Sequence, residues 1–297
     1  MADETTYRVE IVGLLNDVSF TMARYCLEDL QKNSPKVFVD AKVTGLLDVE
    51  WNTYKEEKIK ELRGETWEFE DKAFVFVNGQ MIGGPEVFIS WAEHNHGHEE
   101  FRPESLFLAL TEETYAEHMN NTKHDFVFMD FTIGDEPSGR LVIELFSDLV
   151  PKTCKNFLEL CTGRRGLTQD QAHNLHYKDS VIHRIVPNGW IQGGDIYYGR
   201  GNGGESIYGL VFEDENYCVK HTKRGIVGMC NKGRHTNGSQ FYITLQPAKW
   251  MDTRFVAFGQ IVEGAETLKK IEEQETLIER PVKEVKIVNC GQIKYNF

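Results

Sequence analysis

From Phe126 onward the chain is cut into short apolar runs separated by glycine and asparagine. Such runs are too short for a helix that must bury one face, but long enough for strands. Their number and punctuation leave a barrel or a sandwich as the fold of the C-terminal part. Alternation inside the runs assigns faces. In Val181–Val186, Arg184 shares a face with Ile182 and Val186. In Gln240–Leu245, Phe241, Ile243 and Leu245 form an apolar face that must meet the core. Gln240, Tyr242 and Thr244 share the other face, so Gln240 and Tyr242 are predicted to face outward, beside the groove. Val127–Ile133 and Arg140–Phe146 read as a hairpin across Gly134–Gly139. Pro151 opens a helix whose Cys154, Phe157, Leu158 and Cys161 recur at helical spacing, and Ala265, Leu268 and Ile271 mark a second.

The first part has a different rhythm. Tyr7–Leu14 reads as a strand, and Phe20–Leu30 as a helix with apolar Phe20, Ala23, Leu27 and Leu30 on one side. Val37–Leu47 is extended, Trp51–Leu62 a charged amphipathic helix, Ala73–Val77 a strand ending on the turn pair Asn78-Gly79, and Val87–His94 a helix. This β-α-β-α-β order predicts an α/β sandwich. Pro103–Met119 carries apolar residues at helical spacing behind a proline and reads as a connecting helix. The 297 residues suit two domains. The expected division is 1–97, a linker at 98–124, and 125–297.

The net charge of −13 lies almost wholly in the first part. Residues 1–124 hold 24 Asp and Glu against 12 Lys and Arg, whereas residues 125–297 hold 22 against 21. Phosphates would be repelled, so no nucleic-acid partner is expected. A basic partner in a protein assembly, docked through the acidic first half, fits better. No window approaches the roughly 18 apolar residues of a membrane span. The polar, acidic start lacks the features of a signal peptide, so a cytosolic setting is expected. The six cysteines include no C-x-x-C pair and read as reduced, mostly buried thiols. His94, His96 and His98, with Glu93 and Glu99, alternate along one stretch, which suits a polar loop better than a tetrahedral metal site. Gly199-x-Gly201-x-Gly203-Gly204 is followed by no helix signal, as a phosphate loop would need. No metal or cofactor is expected.

Residues 181–260 are the most informative. They contain His183-Arg184-Ile185-Val186-Pro187, Gln192-Gly193-Gly194-Asp195, Gly203-Gly204-Glu205-Ser206-Ile207-Tyr208-Gly209 and Phe212-Glu213-Asp214-Glu215-Asn216. Thr236-Asn237-Gly238-Ser239-Gln240-Phe241-Tyr242-Ile243 and Phe258-Gly259 follow. In order and spacing these resemble the signatures of cyclophilins, and the likeness covers 125–297. It implies a closed eight-stranded antiparallel barrel capped by two helices, acting on Xaa-Pro peptides. The longer loop Gly166–Lys178 is similar to that of a divergent-loop group of the family, and the whole chain resembles one divergent subgroup. Phe76-Val77-Asn78-Gly79-Gln80-Met81-Ile82-Gly83-Gly84 resembles a glutaredoxin signature, which implies a thioredoxin-like fold for residues 1–97. Asp17-Val18-Ser19-Phe20 stands where that family has its two cysteines, so this domain is expected to be redox-inactive.

By the cyclophilin resemblance, Arg184 donates to the prolyl nitrogen, and Gln192 holds the arginine and the substrate carbonyl. Asn231 offers backbone groups, Gln240 lines the groove and Trp250 contacts the ligand from the rim. The proline pocket departs from the family. Gly189 and Trp190 stand for its phenylalanine and methionine, Tyr242 for a later phenylalanine, Met251 for its leucine and Phe255 for its histidine. Two readings stand. One is a prolyl isomerase or Xaa-Pro-binding protein with weakened activity. The other is a non-catalytic subunit of a large assembly, such as a radial spoke of the ciliary axoneme.

Overall fold

Alternating strands and helices build the N-terminal unit, and consecutive β-hairpins build the C-terminal one. The computed structural model describes residues 6–64 and 68–295. The chain divides between Thr122 and Lys123.

In the first unit β1 (Arg8–Leu14) pairs in parallel with β2 (Asp40–Leu46), because helix α1 (Val18–Asn33) carries the chain back between them. Asp17 caps α1 by accepting from the Ser19 amide at 2.9 Å. Phe20, Ala23, Cys26, Leu27 and Leu30 form its buried face. Helix α2 (Asp48–Leu62) leads to β3 (Ala73–Val77), whose five residues are all buried, as a strand covered on both faces requires. β3 runs antiparallel to β1 and to β4 (Gln80–Gly83), giving the sheet order β2-β1-β3-β4. Helix α3 (Pro85–His96) ends on Gly97 in the left-handed conformation. It takes in His94 and His96, which the sequence had suggested lay on a loop. Helix α4 (Glu104–Asn121) packs on α1, where the Thr111 hydroxyl donates to Thr21 Oγ1 at 2.7 Å.

The second unit opens with the hairpin β5 (Asp125–Ile133) and β6 (Glu136–Leu145). Helix α5 (Pro151–Thr162) follows, then β7 (Arg184–Val186), β8 (Trp190–Gly193), β9 (Ile226–Met229), β10 (Phe241–Thr244) and β11 (Ala257–Glu263). Helix α6 (Ala265–Glu272), the small hairpin β12 (Thr276–Leu277) and β13 (Arg280–Pro281), and β14 (Val285–Ile293) complete it. The eight-stranded antiparallel sheet has the order β14-β5-β6-β11-β9-β10-β8-β7. The expected closed barrel is not formed. Its edge strands β14 and β7 share no ladder, and the sheet is curled. The reason is local. Residues 180–182 face β14, with one bridge at Val181 and Lys286 and the Ile182 amide donating to the Val285 carbonyl. The chain then switches partner, His183 donating to Gln192, and leaves β7 only three residues long. The two expected helices cover the sheet. Phe157 of α5 packs on Phe241 and Phe258, with ring centroids 5.4 Å and 4.8 Å away. Ala265, Leu268 and Ile271 are the buried stripe of α6.

Candidate functional site

Arg184 and Gln192 are register partners across β7 and β8, so the hairpin sets them side by side. Their side chains, however, go to other partners. Arg184 Nε donates to Glu279 Oε2 at 2.7 Å, and its guanidinium lies 5.2 Å from the Trp190 ring centroid. Gln192 Nε2 donates to Gln240 Oε1 at 3.0 Å, and Gln240 Nε2 donates to the Gly203 carbonyl at 2.9 Å. The amides of Gln192 and Gln240 thus brace the glycine loop. Asn231 Nδ2 donates to the Arg254 carbonyl at 3.0 Å, which ties the segment after β9 to the one before β11.

The glycine loop has its own organiser. The buried Asp195 carboxylate accepts from the amides of Tyr197, Tyr198, Arg200, Gly201, Asn202 and Gly203. Burial alone would raise its pKa, but these amides hold it below the ordinary carboxylate range. The amides that could have bound a phosphate are already bonded. Between this loop and β9–β10 lies a cavity of about 260 Å³, whose lining includes Gln192, Gln240, Asn202, Asn231, Lys232 and Thr236. Lys232 Nζ reaches the Asn202 carbonyl at 3.3 Å across it.

Trp190, Tyr242, Met251 and Phe255 come together in one cluster with Ala248 and Cys230. Trp250, on the 3-10 turn Lys249–Met251, closes it from outside, 5.6 Å from Trp190 and 6.4 Å from Phe255 by ring centroids. The outward placement expected for Gln240 and Tyr242 is corrected: Tyr242 is 2% exposed and Gln240 is buried too. Ala248, Met251 and Phe255 cover Tyr242, and the glycine loop, whose Gly203 carbonyl takes its amide, covers Gln240. A phenol sealed there needs a partner. Tyr242 Oη lies 2.5 Å from His221 Nε2, and His221 Nδ1 lies 2.8 Å from Asp252 Oδ1. Room for the hydroxyl exists because Gly228 stands opposite Tyr242 on β9. A Cβ there would lie 2.1 Å from Oη.

Burial pushes the imidazoles of His221, His183 and His176 below their ordinary 6.5, even though Asp252 pulls His221 the other way. The unfolded chain therefore binds more protons just below pH 6.5, and stability falls as pH falls through that window. His124 is opposite: burial lowers it, but hydrogen bonds to Glu144 and Asp148 raise it overall. Its contribution is complete below 6.5 and fades at higher pH. Burial lowers the His96 imidazole of the N-terminal unit as well, so four groups stand against one, and the melting temperature is expected to be lower at about pH 5.5 than at about pH 7.5. A higher value at the acid end in a thermal scan would refute the assignment.

Residues 128–292 match the profile of the family described as cyclophilin type peptidyl-prolyl cis-trans isomerase/CLD. The chain belongs to the cyclophilin family. It is 49% identical over 288 residues to the human protein named "probable inactive peptidyl-prolyl cis-trans isomerase-like 6", covering 97% of this chain and 92% of that protein. The mouse protein of the same name is 46% identical over 288 residues, with 97% and 92% covered. The NK-tumor recognition protein of mouse is 48% identical over 163 residues, covering 54% of this chain and 11% of that protein. The likeness to the first two runs through both units and matches the divergent subgroup expected from sequence. Among the described residues no group of three or more His, Cys, Asp or Glu is placed to hold a metal ion. No helix there is long and apolar enough to cross a membrane.

Proposed function

We propose that this cyclophilin binds Xaa-Pro segments of proteins and has lost most of its power to isomerise them. The carrying observation is the cluster at Trp190, Tyr242, Met251 and Phe255, an interlocked aromatic group at the positions that grip proline in the family. Isomerisation must overcome about 18–20 kcal/mol of amide resonance, and selective help comes from a donor to the prolyl nitrogen in the twisted state. Arg184 supplies the donor. The ring must also be held against it, and here Gly189 offers no wall while Trp190 stands beside the guanidinium. The peptide backbone can still meet Asn231, Gln240 and the neighbouring cavity. A labelled Ala-Pro peptide is expected to bind measurably. Turnover in a protease-coupled assay should stay roughly tenfold to hundredfold below an ordinary catalyst, the cost of one lost aromatic contact. Ordinary turnover, or no binding at all, would overturn the reading.

The N-terminal unit is, in the same proposal, a glutaredoxin-type thioredoxin-like scaffold without redox chemistry, and its acidic surface is the docking side for a basic partner. The sheet order β2-β1-β3-β4 with β1 and β2 parallel supports the first part. Asp17 caps α1 where the nucleophilic cysteine would stand. Cys26 lies inside, where burial, with Glu100 and Asp29 adding to it, pushes its thiol up to about 12. The full chain is expected to show no glutathione-coupled disulfide reduction above buffer. Turnover that vanished on Cys26→Ala would disprove this.

A further inference from the structure

The donor expected to serve the prolyl nitrogen already has an anionic partner. Glu279 lies on the two-residue turn between β12 and β13, and its carboxylate meets Arg184 Nε at 2.7 Å. The two residues are 95 positions apart, so this is a contact of the folded site and not of a local turn. Both side chains are about 40% exposed, at 42% and 41%. An ion pair this open is weak and exchanges readily, so it does not lock the site.

Backbone geometry nevertheless keeps the carboxylate there. The Ile185 amide of β7 donates to the Glu279 carbonyl at 2.7 Å. Ile278 and Glu279 both have positive φ, at 50° and 63°, as a tight hairpin turn demands of its two central residues. A side-chain rotation can release Arg184, but the main chain holds Glu279 at the edge of the site. Trp190 lies against the same guanidinium. A neutral peptide that draws the Arg184 guanidinium to itself leaves Glu279 without its cation. A peptide that brings its own cation re-pairs it.

We propose that Glu279 makes this groove selective for proline peptides carrying a lysine or arginine within two residues of the proline. The inference rests on the reading of Arg184 as part of a peptide site. Specificity of this kind is a difference between two affinities, created as much by the penalty on neutral peptides as by the gain for basic ones.

The test uses the full chain and fluorescein-labelled hexapeptides that differ only in where a single lysine replaces alanine around one proline. Anisotropy titration of wild type should show at least one lysine peptide binding about twofold to fivefold tighter than the all-alanine parent, the upper range for re-pairing a half-exposed charge. The preference should disappear near 1 M salt, where screening acts within roughly 3 Å. Glu279→Gln should tighten the parent peptide and abolish the lysine preference. Glu279→Lys should transfer the preference to the matching glutamate peptide. Glu279 is exposed, and melting curves of both variants would show that the fold is kept. A lysine preference that survives Glu279→Gln, or no preference in wild type while peptides bind, overturns the inference and leaves the peptide-binding reading intact. No binding by wild type and Glu279→Gln alike overturns both.

Discussion

Gly189→Phe combined with Trp190→Met is expected to raise kcat/KM for a neutral Ala-Pro peptide by roughly tenfold to hundredfold. The range follows from about 1–3 kcal/mol for restoring one apolar side chain to a pocket wall. The Trp190 ring now lies between the Arg184 guanidinium, 5.2 Å from its centroid, and Trp250, 5.6 Å away. Replacing it with a flexible thioether opens that space and keeps a polarizable surface. A phenylalanine at 189 then supplies the missing wall. Gly189 does not have positive φ, but its Cβ would meet Val186 Cγ1 at 3.0 Å and the Val186 carbonyl oxygen at 3.2 Å, so the turn after β7 must give by a few tenths of an ångström to take the new ring. Adding Arg184→Ala to the double variant should remove the gain, because the donor is lost while the pocket remains. A double variant no faster than wild type, or one indifferent to Arg184, would mean that the proline ring is not held at these positions.

Gly228→Ala is expected to destabilise the C-terminal unit by about 2–4 kcal/mol, combining overpacking with damage to a buried hydrogen bond. The new Cβ would lie 2.1 Å from Tyr242 Oη and 2.3 Å from Cζ. The ring cannot easily yield, since it is 2% exposed and its hydroxyl is tied to His221, which is itself 0% exposed. For a unit of this size the loss corresponds to a fall in melting temperature of roughly 5–15 °C. Tyr242→Leu in the Gly228→Ala background removes both the obstructed ring and the hydroxyl. The two changes together should therefore cost clearly less than their sum in a double-mutant cycle. A melting temperature within about a degree of wild type for Gly228→Ala would show that β9 and β10 do not approach this closely.

The consequence for function is that the altered residues act as a set. Tyr242 in place of phenylalanine requires Gly228 opposite and His221 behind it, and it helps seat Phe255, 5.8 Å away by ring centroids. These side chains therefore form a cluster with its own packing. Single reversions toward the ordinary residue types should do less than the paired change, because neighbours in contact are not additive.

Sequence alone determined most of the secondary structure. Strict alternation found β10 and its apolar face, because Phe241, Ile243 and Leu245 have no other way to be buried. Proline and helical spacing found α5, and the signature order identified the family and brought Arg184 and Gln192 into one hairpin. Two of its readings failed for the same reason, that period and spacing are properties of one segment. Alternation divides β10 into faces but does not say what covers the second one, so Tyr242 read as outward until the 248–255 segment was seen over it. The short apolar runs imply a curled sheet, yet whether its edges meet depends on where residues 180–186 change partner. The Tyr242–His221–Asp252 chain and the Arg184–Glu279 pair join side chains from elements distant in the chain. Those contacts exist only because the tertiary fold sets the atoms within hydrogen-bond reach, a length scale that no pattern along the sequence encodes.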